Sequence, residues 1–172
     1  RHPPQLLFYL RNKKKDPDAF LESNDILKSN EKNGRIDPKS LNGSWKVVSV
    51  SVSSKSATST GFTPTDADKE EQKKQEANIG LVYTYNTLQE PYRFTEAQLD
   101  GTQKTGVFTI TDDVMHYYHE NEIEGKTKKV MESMAVDFVN SNRFRYTYNI
   151  YNLKTTSFTI QRVIVTFDRV QK

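Results

Sequence analysis

From residue 79 to the end, the chain is a series of alternating runs separated by very short connectors. The runs read "IGLVYTYN" (79–86), "PYRFT" (91–95), "TGVFTIT" (105–111), "VMHYYHE" (114–120), "KKVMESMAVDFV" (128–139), "RFRYTYNIY" (143–151) and "TSFTIQRVIVTFDR" (156–169). Between them lie turns such as "LDGTQK", "DD", "NEIEGK", "NSN" and "NLKT". A parallel neighbour needs a crossover of a dozen residues or more, so these connectors allow only antiparallel hairpins. The segment 45–53 adds one more strand at the front. Eight strands joined mainly by hairpins form an up-and-down meander, and closing that meander into a barrel removes its exposed edges. The fold class expected is all-β, an antiparallel up-and-down eight-stranded barrel with an N-terminal helix outside it.

The alternation assigns faces. Phe144, Tyr146, Tyr148 and Ile150 share one side of their strand, and Arg143, Arg145, Thr147 and Asn149 share the other. In the last strand the phase slips, because Phe158 and Ile160 give way to Val163, Val165 and Phe167. A bulge near Gln161–Arg162 is the expected cause.

The front of the chain reads differently. Residues 1–15 look like an extended arm, with "HPP" against helix and "RNKKK" polar. Asp16 as N-cap, Pro17 at the first helical position and an apolar face of Phe20, Leu21, Ile26 and Leu27 predict a helix over 17–31. Residues 1–36 are therefore expected to form an arm and helix, and residues 37–172 the barrel. Residues 54–77 form a polar insertion with a short helix from Asp66 to about Gln75.

The sole tryptophan, in "LNGSW" (41–45), carries a resemblance. Gly43-Ser44-Trp45 opens the first strand, "YRF" (92–94) and "GVF" (106–108) follow, and the last strand closes with Arg169 in "TFDRV" (166–170). This pattern over residues 37–170 resembles the lipocalin-like (calycin) barrels, most of all the divergent exported proteins of Bacteroidota. The resemblance implies that Trp45, after Gly43, plugs the closed end of the barrel and that Arg169 lies across its indole. It also implies an exported, periplasmic or cell-surface protein, with a lipid anchor upstream of Arg1 as one form of it, and a small apolar or amphipathic ligand in the barrel. The chain begins at Arg1 rather than Met, which reads as a processed product.

Chemistry-bearing motifs are few. With no cysteine there is no thiolate zinc site, disulfide or cysteine nucleophile. His116 and His119 in "HYYHE" sit three apart on a strand, so they point to opposite faces and cannot converge on one ion. "SNEKNGRIDPKSL" (29–41) echoes a calcium loop but has serine at its first and twelfth positions. Neither a GxSxG nor a phosphate loop occurs, so an enzyme, a metal and a cofactor are not expected. A net charge of +3 from 25 basic and 22 acidic residues is too mild for nucleic acid. The run "LLFYL" is too short to cross a bilayer.

The functional reading therefore rests on the barrel interior. Tyr83, Tyr85, Phe108, Tyr117, Met134, Phe138, Phe144, Tyr146 and Tyr148 are the candidate ligand contacts. Aromatic side chains with polar tips suit a cavity of mixed polarity, yet a small barrel can also be filled by its own side chains. Two functions follow. One is a binding protein for a small apolar or amphipathic ligand. The other is a structural or accessory subunit with a filled barrel, whose residues 1–15 and 54–77 contact partner proteins.

Overall fold

Each strand pairs with the next in sequence, and the last returns to the first. The computed structural model describes residues 36–154 and 157–171. The strands are β1 (Gly43–Ser56), β2 (Val82–Asn86), β3 (Tyr92–Ala97), β4 (Gln103–Thr111), β5 (Val114–Ile123), β6 (Lys126–Asn140), β7 (Arg143–Lys154) and β8 (Ser157–Arg169). They form a closed barrel in the order β1 to β8, antiparallel throughout. The arm and the helix over 17–31 lie outside the described residues. Across those residues no helix is long and apolar enough to span a membrane.

Hairpin chemistry fixes the order. Asp112 and Asp113 both take positive φ (52° and 65°), as do Glu124 and Gly125 (52° and 77°). These are the mirror-image turns whose twist matches the flanking strands. The Asp113 carboxylate also accepts the Ile36 N–H (2.8 Å), which ties the chain's entry to the β4–β5 turn.

The insertion occupies a gap in the wall. β2 pairs with β1 only from Gly43 to Lys46, so the upper edge of β1 lacks a strand on that side. A 3₁₀ turn at Asp66–Asp68 leads into α1 (Lys69–Glu76), which packs there. Gln72 acts as a piece of the missing strand: its Oε1 accepts the Val52 N–H (2.8 Å) and its Nε2 donates to the Val50 carbonyl (2.9 Å). Asp68 is buried and anchors the turn, accepting from Ser54, Gln161 and Thr65. Burial works to raise its pKa, but these hydrogen bonds outweigh it and the pKa is lowered.

The phase slip lies elsewhere than expected. β8 keeps an unbroken register with β7 from Ser157 to Asp168, so there is no bulge at Gln161–Arg162. The irregularity is in β1, between Val47 and Ser49. Ile160 breaks the apolar pattern because it points outward yet is only 3% exposed. It pairs with Lys55, on the face where the insertion returns to β1 at Ser54–Thr63. There the Phe62 ring lies 3.9 Å from the Arg162 guanidinium. An outer face that is covered can carry an apolar side chain.

Candidate functional site

The two ends of the barrel differ. At one end Trp45 is fully buried, edge-on to Phe144 (4.7 Å) and Phe138 (6.1 Å), with its Nε1–H donated to the Leu41 carbonyl (2.8 Å). Phe144 stacks on Phe167 (4.6 Å). Antiparallel pairing of β1 and β8 sets Trp45 opposite Arg169. The Arg169 guanidinium lies 4.2 Å above the indole and donates to the carbonyls of Asn42 (3.0 Å), Ser40 (2.9 Å) and Ser141 (3.2 Å). Gly43 holds φ +121°, and a Cβ there would sit 3.0 Å from the Arg169 guanidinium. Arg169 thus closes the floor over Trp45, through a cation–π contact and backbone hydrogen bonds.

Above this floor the barrel is packed. Tyr85, Phe108, Met115, Val47, Val136 and Phe144 are each less than 2% exposed or close to it. The Tyr85 and Tyr117 hydroxyls bond to each other, which satisfies two polar tips inside an apolar layer. Burial raises the pKa of both phenols.

Toward the other end the side chains no longer meet. They leave a cavity of about 310 Å³ bounded by Leu81 and Tyr83 near β2, Phe94 and Glu96 of β3, Tyr117 and His119 of β5, Glu132 of β6, and Tyr146 and Tyr148 of β7. Gln75 of α1 and Asn78 just beyond it form part of the lid. The volume is at the lower limit of ligand pockets, which run about 300–1,000 Å³. A larger groove of about 690 Å³ lies outside the barrel, between α1 and β1. It is more open to solvent and edged by exposed Asp66, Lys69 and Lys73, so the cavity inside the barrel is the better candidate.

The polar groups of the cavity are ordered. Gln98 donates to Glu96, the Tyr83 hydroxyl lies near Glu96 and Tyr146, and that of Tyr148 lies near Gln75. His119 Nε2 lies 2.9 Å from the Glu132 carboxylate; this hydrogen bond raises the imidazole pKa against the opposing effect of burial. The phenols of Tyr83, Tyr146 and Tyr148 are all pushed up, first by burial and then by nearby charge, so they stay neutral. Neutral hydroxyls serve as donors and acceptors rather than bases.

Of the nine sequence-derived contacts, Tyr83, Tyr117, Tyr146 and Tyr148 line the cavity. Tyr85, Phe108, Met134, Phe138 and Phe144 do not: they belong to the packed part, with Phe138 and Phe144 against Trp45. Glu96, Glu132, His119 and Phe94 were not among those contacts. Their alternation with Tyr83, Tyr117 and Met134 was the available signal, since Glu132 pairs with Tyr117 and Glu96 with Tyr83. His116 and His119 do fall on opposite faces: His116 bonds outward to Ser133 (2.7 Å), while His119 turns into the cavity. Among the described residues no cluster of metal-ligating side chains occurs.

No protein-family model matches the chain, and no curated protein matches it significantly.

Proposed function

We propose that this chain is a lipocalin-like, non-enzymatic binding protein that holds one small amphipathic ligand in the open half of its barrel. The observation that carries the reading is the asymmetry of the interior. One half is sealed and filled from Trp45 to Phe108, while the other keeps a partly open cavity of about 310 Å³ with polar groups around it. A barrel that serves only as a scaffold gains stability by filling such a space, because each void forfeits packing. Rings with hydroxyl tips suit a ligand that has both an apolar body and polar groups.

Native mass spectrometry of protein purified without denaturation tests this, with a cavity-filling Leu81→Trp variant beside it. The expected result is a bound small molecule on the wild-type chain that the variant loses while keeping its native charge-state distribution. A wild-type chain that never carries or takes up a small molecule, across a library of ring-containing amphiphiles, contradicts the reading.

A further inference from the structure

We propose that the cavity selects a small organic cation, a protonated amine on a ring-sized apolar body, between Glu96 and Glu132. This rests on the binding reading above and adds the charge of the ligand.

The two carboxylates enter the cavity from different walls, Glu96 from β3 and Glu132 from β6. Each is held by a neighbour: Glu96 by Gln98, Glu132 by His119. A carboxylate offers about four lone-pair sites, so both keep acceptor capacity for a ligand N–H. Phe94, Tyr83, Tyr146 and Tyr148 line the same cavity, and aromatic rings attract a cation placed against them. Phe94 stacks on Tyr117 at 4.5 Å, which fixes that wall.

The two carboxylates act on the surrounding phenols. Glu96 acts on Tyr83 and Tyr85, and Glu132 acts on Tyr146 and Tyr148, in each case disfavouring a further negative charge. Glu96 is half-buried, whereas Glu132 and the lining cation Lys104 both stand exposed at the mouth; the other basic group, His119, is already engaged by Glu132. An anionic ligand would lie against two carboxylates, and a neutral one can offer them hydroxyl donors only. An ammonium group adds charge to the hydrogen bond.

Isothermal titration at pH 8 with three isosteric probes separates the possibilities: tyramine (cation), tyrosol (neutral) and 4-hydroxyphenylacetate (anion). Tyramine is expected to bind about tenfold or more tighter than tyrosol, with the anion weakest. Glu132→Gln and Glu96→Gln should each lower tyramine affinity by a larger factor than tyrosol affinity, so that the preference shrinks, with near-ultraviolet circular dichroism confirming that both variants are folded. Equal binding of all three probes, or the anion binding best, overturns the cation proposal and leaves the binding reading standing. Binding by none of them, in a chain that also retains no ligand in native mass spectrometry, overturns both.

Discussion

Trp45 and Arg169 show how one cross-strand pair closes a barrel. The indole fills the floor, and Arg169 lies on it while satisfying carbonyls at the ends of two connections. Trp45→Ala opens a cavity in a packed layer and should cost about 3–5 kcal/mol. Arg169→Ala removes a cation–π contact near solvent and should cost about 1–2 kcal/mol. Because the side chains touch, a double-mutant cycle by chemical denaturation should show non-additivity; full additivity would mean the contact carries no energy. The two histidines offer a second test. Burial lowers the His116 pKa below 6.5, so the unfolded chain protonates first and stability is lost as pH falls through that range. Glu132 raises the His119 pKa, so its contribution is present below 6.5 and fades as pH rises through the folded value. Imidazole titration by NMR should place His116 below 6.5 and His119 above it, with Glu132→Gln bringing His119 down. Coincident titrations would show that neither ring has the environment described.

The insertion is the element whose role was least evident in advance. Its composition is polar and α1 has no buried residue, which reads as a solvated excursion or a partner-binding arm. Its purpose becomes visible only from the short β1–β2 ladder, a tertiary fact that local periodicity does not carry. Gln72 then replaces two ladder bonds at Val50 and Val52. Gln72→Ala should cost about 1–2 kcal/mol by leaving both backbone groups unpaired. Hydrogen exchange at the Val52 amide should accelerate in that variant; unchanged protection would mean the edge is covered by something other than α1. The misplaced bulge has a similar origin. Assigning faces by alternation assumes that the outer face is wet, and Ile160 breaks that assumption beneath the returning insertion.

For the whole molecule, the barrel was legible because its evidence is local: eight alternating runs, short turns and a glycine before the tryptophan. The division of the interior was not. Phe138, Tyr146 and Tyr148 alternate alike, and only the register places Phe138 against the floor and the two tyrosines around a cavity. Nor does a sequence say that Glu132 and Glu96, from strands remote in the chain, face the same space. The central claim is that half of this barrel is closed to ligands and half is open to them. Amide chemical-shift mapping with saturating tyrosol, a neutral probe indifferent to the sign of the cavity's charge, tests it most directly. The account predicts shifts at Tyr83, Phe94, Glu96, His119, Glu132, Tyr146 and Tyr148, with Trp45, Phe144 and Phe167 unmoved. Shifts centred on the Trp45 end, or confined to the outer groove beside Lys69 and Lys73, would contradict it.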